Sequence, residues 1–437
     1  MGDSIDQITD VLQQGIDEAK RLGATAAKIL FSRSANVACS FESARLKTAY
    51  TQQGVHYGVT TLVDGRRGST SSNDLDSLSE MVQRAVSLAR AGSAAHFDAY
   101  PAPAETVEVK THSDRTESFT RDQLIDGCQT MVDGLKEYDP ELYIDAGGGR
   151  DVSEKIVVTS GGVCHHSRGS SWGHGVGAQR TEGSDMLFAR SHRGWRDVNE
   201  FYDPDVPLRH VLDDLRHGER IVDAPKGKVP AFLDGATLNM FLWPITLGVN
   251  GRNVAKGDSP LKGRLGEQLL DPCLTLVDDP HRDYSPGAAE IDDDGVPTRV
   301  MTIVEKGELK SFLYDLDSAG LAGAEPTGNN GCAPHALTVS PGDTPSDDLL
   351  ASIDDGIYIK SLIGFGQSNI MNGDFSSNVA LGFRVQNGKI TGRVKNTMVA
   401  GNVYDLFKTN VRLSSDYEDP TRRMPYALVD GMSVSAP

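Results

Sequence analysis

Metal-capable side chains are densest in Val163-Cys-His-His-Ser-Arg-Gly-Ser-Ser-Trp-Gly-His-Gly175, which gathers Cys164, His165, His166 and His174 into one short run. Thiolate and imidazole are the ligands zinc prefers. The run reads as strand and turn, however, where successive side chains leave opposite faces, so two adjacent histidines are poorly placed to share one ion. These residues are read as polar strand or interface positions. Asp292-Asp-Asp-Gly295 offers the hard oxygens that calcium takes, but Pro297 stands where an EF-hand needs its turn glycine and no closing Glu follows. A solvated β-turn is the expectation there. Nucleophile chemistry finds little support: G-x-S-x-G is absent, and Cys332, in Asn330-Gly-Cys-Ala-Pro-His335, has no evident electropositive setting and reads as a core or loop cysteine. Asp374 is a candidate acid or metal support, yet an Asp beside Gly in a turn usually bonds local backbone. No catalytic residue and no metal ligand is assigned to this chain.

A different kind of site is suggested by the stretch from Gly364 to Asn402. It runs Gly-Phe-Gly-Gln-Ser-Asn369, then Asn372-Gly-Asp-Phe-Ser376, then Gly382-Phe-Arg-Val-Gln-Asn-Gly-Lys-Ile390, and closes on Met398-Val-Ala-Gly-Asn402. Small residues in its first half keep backbone N–H and C=O groups near the surface, which suits a loop that holds an extended main chain or another subunit. Gly364, Gly366, Gln367, Ser368, Asn369, Gly373, Asp374, Ser376, Gly401 and Asn402 are therefore expected to line a substrate path or a partner contact. In the second half, Asn387-Gly388 sits between two short period-two runs, a strong hairpin signal.

The order and spacing of these blocks resemble the C-terminal signature of the TldD/PmbA family, bacterial and archaeal proteins once called modulators of DNA gyrase. That signature runs G-x-G-x-S/x-N, G-D-F/Y-S, G-F-x-V-x-N-G-x-I, then a hydrophobic residue, x, G-N. The likeness continues upstream through Asp294-Gly-Val-Pro-Thr298, Lys306-Gly-Glu-Leu309, Ala319 and Thr327-Gly-Asn329, and more weakly over the N-terminal half. The family's catalytic member carries H-E-x-x-x-H on a helix just after its domain boundary, with two histidines to hold a metal and a glutamate to activate water. The corresponding segment here resembles Phe241-Leu-Trp-Pro-Ile-Thr-Leu247, which has no His, Glu or Asp and carries Pro244, expected to kink a helix. The resemblance is accordingly to the PmbA, or TldE, branch, which lacks the metal motif and pairs with the TldD branch.

It implies a heterodimeric metallopeptidase acting on unfolded or small peptides in a chamber between subunits. Zinc or a similar divalent ion would be held by a TldD-like partner and none by this chain. A homodimer is the other pairing considered. Two rival readings are a stand-alone hydrolase or tailoring enzyme for a peptide-like metabolite and a non-catalytic homodimeric binding protein. The resemblance leaves the physiological substrate open.

The elements that must position these residues read as α+β: an N-terminal α/β region of amphipathic helices and a sheet, then an antiparallel, barrel-like β-rich domain. Ser4 caps a helix whose apolar positions Ile5, Ile8, Leu12, Ile16, Ala19 and Leu22 recur at helical spacing, and Gly23 ends it. Strands are predicted at Ala26–Phe31 and Val55–Val63, a helix through Leu75, Leu78, Val82, Ala85 and Leu88, and another through Leu124, Ile125, Cys128, Val132 and Leu135. Further strands are predicted around Ile156–Val158 and over Ser171–His192, with a helix at Leu208–Val222. The proline pair in Tyr100-Pro-Ala-Pro103 and the cluster Ala224-Pro-Lys-Gly-Lys-Val-Pro230 suggest subdomains 1–100, 101–223 and 224–437. Past Pro230, Asp-Gly, Lys-Gly and Asn-Gly turns alternate with short β runs, most clearly Val300–Val304 and Leu309–Tyr314 about Lys306-Gly307.

With 437 residues the chain exceeds one ordinary core, and its formal charge of −18 argues against a nucleic-acid partner, which would require a basic footprint. Five scattered cysteines, odd in number and without C-x-x-C, predict neither a disulfide framework nor a zinc knuckle and suit a reducing cytoplasm. Neither a signal-peptide pattern at the N-terminus nor an apolar run of about 20 residues is present, so a soluble cytoplasmic protein without membrane contact is expected.

Overall fold

The computed structural model describes residues 4–199 and 201–436. Helix α1 (Ile5–Arg21) starts as predicted: Ser4 and Gln7 exchange side-chain-to-backbone hydrogen bonds in a capping box, and Ile8, Leu12, Ile16 and Ala19 are buried. Strands β1 (Ala26–Glu42), β2 (Arg45–Val63) and β3 (Arg66–Ser72) follow, far longer than expected for the first two. The first twelve residues of β2 are all exposed, so apolar alternation stops where the core stops while the backbone ladder with β1 continues. Helix α2 (Leu78–Ala89) packs Val82, Ala85 and Val86 inward, whereas Leu88, expected on its apolar face, is half exposed.

Helix α3 (Arg121–Tyr138) buries Leu124, Cys128, Val132 and Leu135 as predicted. Strands β4 (Tyr143–Thr159), β5 (Cys164–Glu182) and β6 (Asp185–Trp195) complete a seven-stranded antiparallel sheet. Its order is Ser93–Ala94, β3, β2, β1, β4, β5, β6, so residues from both 1–100 and 101–223 build one sheet. Helix α4 (Asp205–His217) ends five residues short of the predicted Val222, because Gly218 closes it and Ile221–Val222 pair as a short parallel strand with Arg393–Val394.

The C-terminal region contains a closed five-stranded barrel of β7 (Gly227–Leu233), β8 (Asp355–Ile363), β9 (Asp374–Gln386), β10 (Met398–Asn402) and β11 (Pro425–Ser435), beside a separate four-stranded sheet. The ring runs β8-β7-β11-β10-β9 and closes through β8–β9; all its pairings are antiparallel except β7 with β8. Turns at Lys306-Gly307 and Asn387-Gly388 have both central residues at positive φ, the hairpin geometry these dipeptides predict. One turn departs from expectation. Asp292 is fully buried rather than solvated, its Oδ1 accepting from the N–H groups of Asp294 and Val296, while Lys155 reaches Asp293 and Lys28 reaches Asp294. The triad ties the barrel side of the molecule to the N-terminal sheet. Among the described residues no helix is long and apolar enough to cross a membrane.

Candidate functional site

Helix α5 (Gly235–Gly248) occupies the place where the resemblance puts a metal-binding helix. Asp234 caps it, accepting from the Thr237 N–H at 2.8 Å. Leu238, Phe241, Leu242 and Ile245 are buried in the same core as the barrel residues Ala231, Val399 and Val429. Pro244 lies inside the helix, which nevertheless runs on to Gly248, held by the burial of these neighbours. Its outward stripe is Asn239, Trp243 and Thr246. An amide, an indole and a hydroxyl offer no ligand set for a catalytic divalent ion, and the positions a metal site would need are filled by core aromatics and aliphatics. The residues of α5 do not fit a metal.

Beside that stripe lies the Gly364–Asn369 loop, anchored by a residue that sequence reading passed over. Phe365 is buried with its ring edge-on to Phe241 at 4.9 Å and near Phe375 at 5.5 Å. Gly364 turns the chain at φ +84°, and the Gln367 N–H closes the turn on the Gly364 carbonyl. Gly366 matters for space: a Cβ there would sit 2.7 Å from the Trp243 ring. Gln367 and Asn369 are exposed and Ser368 is half-buried. The Asn369 carbonyl accepts from the N–H of Asp374, which follows Gly373 at φ +86°. Asn402 stands opposite Asp374 across β9 and β10 and donates to both the Asp374 carboxylate at 2.8 Å and the Asn372 carbonyl at 2.7 Å. Gly401, opposite Phe375, leaves room for that ring, and Ser376 faces outward. The loop is thus continuous with the turn at Gly373 and the Asn402 network, and Asp374 is tied up structurally.

On the other side of the stripe, Asn239 and Thr246 face a cavity of about 390 Å³ whose walls include Trp195, Arg282, His335 and Arg422. The Arg282 guanidinium lies over the Trp195 ring at 5.2 Å.

A second polar centre lies at the seam between the two regions. The Lys360 ammonium on β8 contacts Asp234 at 2.9 Å, Glu418 at 3.2 Å and the Tyr358 hydroxyl at 3.4 Å. Burial alone would discharge it, but Tyr358, Asp234 and Glu418 outweigh burial and hold it protonated. From α4, Asp214 and His210 line the same cavities as Lys360. Burial lifts the Asp214 carboxyl to about 7 against the pull of Lys360, and burial together with Lys360 and Arg193 presses the His210 imidazole down to about 4. The sequence held a hint: Lys360 is the one cation in Ile357-Tyr-Ile-Lys-Ser-Leu-Ile363. Nothing marked Asp214 or Arg282.

The histidine run does not converge. His165 faces Glu290 and His166 faces Glu154, each at 3.9 Å, while His174 is buried against Trp172 and Tyr202 with neither ring nitrogen bonded. Among the described residues, one trio has metal-like spacing, His112, Asp114 and Glu117. Arg168 already pairs with Glu117, and Asp114 is almost fully exposed. Cys332 is a buried thiol, bonded to Ser318 and the Asp315 N–H.

Residues 226–436 match the model of the PmbA/TldA metallopeptidase C-terminal domain, and residues 27–89 match that of PmbA/TldA metallopeptidase domain 1. An uncharacterized protein of Methanocaldococcus jannaschii is 24% identical over 391 residues, 89% of this chain and 91% of its own length. A metalloprotease PmbA homolog of Buchnera aphidicola is 28% identical over 61% of this chain and 63% of its own. The crystal structure of TldE from Thermococcus kodakarensis superposes with a TM-score of 0.88 at 22% identity, covering 98% of this chain and all of that one. Matched by that family's models in both its N-terminal and its C-terminal parts, the chain belongs to the TldD/PmbA metallopeptidase family.

Proposed function

We propose that this chain is a PmbA/TldE-like subunit of a two-chain metallopeptidase, supplying a wall that holds extended peptide while a TldD-like partner supplies the zinc or similar ion. The observation carrying this reading is α5 itself: a metallopeptidase family member whose helix at the expected metal position presents Asn239, Trp243 and Thr246 instead of ligands. The neighbouring Gly366 loop leaves main-chain groups exposed, which favours pairing with an extended peptide backbone. The chain contributes binding and closure, and the partner the chemistry.

Three measurements test it. Elemental analysis of the purified chain should find no stoichiometric zinc or iron; about one equivalent, lost on changing His165 or His166, would overturn the assignment. Peptide cleavage should be absent with the chain alone and appear when an H-E-x-x-x-H relative is added. Light scattering should show a dimer with that relative or with itself; a monomer at every concentration, with and without the relative, counts against the chamber.

A further inference from the structure

The three N–H donors of the Lys360 ammonium are all used within its own chain, one each by Asp234, Glu418 and the Tyr358 hydroxyl. Asp214, on the neighbouring helix α4, is left out of that arrangement. It is only 7% exposed, yet its carboxyl accepts no hydrogen bond and has no cation within 4.0 Å among the described residues. Neither of its oxygens is shut off from solvent, in contrast to Oδ2 of Asp292, so both can be reached from the cavities that Asp214 lines. A carboxyl this deeply buried without a donor is costly to ionise, and burial lifts it to about 7. Lys360 pulls the other way, opposed by the charges of Asp234, Glu418 and Asp213.

The larger of those cavities, about 470 Å³, is walled by Asp213, Asp214, Asp347 and Glu418 against Lys360 and Lys389. Asp213 is met by Arg216 at 3.1 Å, and Lys360 already has two acids upon it, which leaves Asp214 and Asp347 opposite Lys389 alone. His210 and His217 add no charge near neutral pH, because burial holds both imidazoles below their ordinary value. The surplus is negative, and a cation is the ligand it suits. Glu418 still has an oxygen to give: Oε1 takes Lys360, while Oε2 has no partner and is open to solvent. A bare metal ion does not fit, since among the described residues the trio His112, Asp114 and Glu117 alone brings its ligand atoms within 4.8 Å of one another. The rest of the wall is apolar. Phe232 is buried, Leu350, Ile390 and Tyr426 pack half-buried over the same small core, and Tyr426 stacks on Phe232 at 5.5 Å. Carboxyl groups beside aliphatic and aromatic surface suit a cation carried on a hydrocarbon stem.

We propose that this cavity is an organic-cation site, in which Asp214 and Glu418 receive an alkylammonium group and Phe232, Leu350, Ile390 and Tyr426 hold its hydrocarbon stem. Nothing in this site depends on the peptide-wall reading. On binding, Asp214 gives its proton to solvent while the ammonium keeps its own three, so a neutral acid without a partner becomes one half of an ion pair. A lysine side chain and a free aliphatic diamine carry the same chemistry.

The test is calorimetric titration of the full-length chain at about pH 8, where Asp214 is ionised before any ligand arrives, with n-pentylammonium and with n-pentanol. The ammonium should bind about tenfold or more tighter than the neutral alcohol. Asp214→Asn keeps the shape, removes the charge and should level the two. Because burial opposes an ionised Asp214, that variant should fold at least as well as the wild type at this pH. Leu350→Trp, which fills the cavity and leaves the acids in place, should abolish binding of both probes. Equal affinity for ammonium and alcohol, an ammonium preference that survives Asp214→Asn, or no binding of either would overturn the site. So would displacement of pentylammonium by an equal concentration of zinc chloride, which would make it a metal site. Two further arms separate the sources: a tetrapeptide with one lysine, compared with its Nε-acetylated form, and pentamethylenediamine. Tighter binding of the lysyl peptide assigns the site to a side chain and tighter binding of the diamine to a free amine; either, with the ammonium preference intact, supports it.

Discussion

Two partly buried cations lie near the junction of the N-terminal sheet and the barrel, and they are treated in opposite ways. Lys360 is enclosed by Asp234, Glu418 and Tyr358, with Asp214 close by, so its charge is met entirely by its own chain. Arg282, beside α5, finds a ring face, a hydroxyl and a carbonyl, with no carboxylate within 4.0 Å among the described residues and the charges of Asp279 and Asp419 acting on it from farther off. Fully compensated charge in an interior secures geometry and has nothing left to offer a ligand; charge met only from farther off secures less. The same helix separates them, with Asp234 capping its start for the closed cluster and Asn239 and Thr246 facing the open cavity.

Removing the closed cation should have the largest effect. Lys360→Met strands Asp234 and Glu418 and is expected to cost about 3–5 kcal/mol in urea unfolding. If that variant stayed as stable as the wild type, the cluster would not secure the junction and the contrast would collapse.

Next in size is a pH effect on the closed cluster. Because burial raises the Asp214 carboxyl from 3.8 to about 7, the folded chain keeps a proton that the unfolded chain releases, so this group's stabilisation is complete below about pH 4 and is lost as pH rises to about 7. His210 runs the other way: pressed from 6.5 to about 4, it contributes above pH 6.5 and loses that contribution as pH falls. Asp214→Asn removes the first and keeps the second. Its urea midpoint should therefore drop more steeply than the wild type between pH 7 and 4, by on the order of 2 kcal/mol; parallel curves would show that Asp214 is not held protonated.

On the open side, effects should fall on binding more than on folding. Gly366→Val crowds the half-exposed Trp243 ring, which can swing aside, so about 1 kcal/mol of stability is expected to go, with a larger proportional loss in peptide affinity by calorimetry. The smallest change is Asp374→Asn. Its carbonyl oxygen can still accept from Asn402, so the cost should stay below about 0.5 kcal/mol and cleavage by the two-subunit complex should persist. Abolished turnover with assembly and affinity intact would make Asp374 catalytic and the wall reading wrong.

Local rules carried much of this protein in the sequence. Ser4 and Gln7 announce a capping box, Lys306-Gly307 and Asn387-Gly388 demand positive φ and therefore hairpins, and the absence of His, Glu and Asp from Phe241–Leu247 is visible without any coordinates. The Gly364 and Gly373 turns were equally legible, since only glycine takes such backbone angles cheaply. What the tertiary structure alone decided is which charges meet. Lys360, Asp234, Asp214 and Glu418 come from four separate stretches of chain, and Arg282 becomes conspicuous only because folding brings no carboxylate within 4.0 Å of it among the described residues. The length of β2 escaped for a related reason: outside the core, pairing is satisfied by backbone and leaves no apolar period to read, whereas β1 beyond Phe31 does carry one, burying Val37, Cys39 and Phe41 at period two. Periodicity and turn chemistry are properties of neighbours along the chain, whereas compensation of a buried charge is a property of neighbours in space.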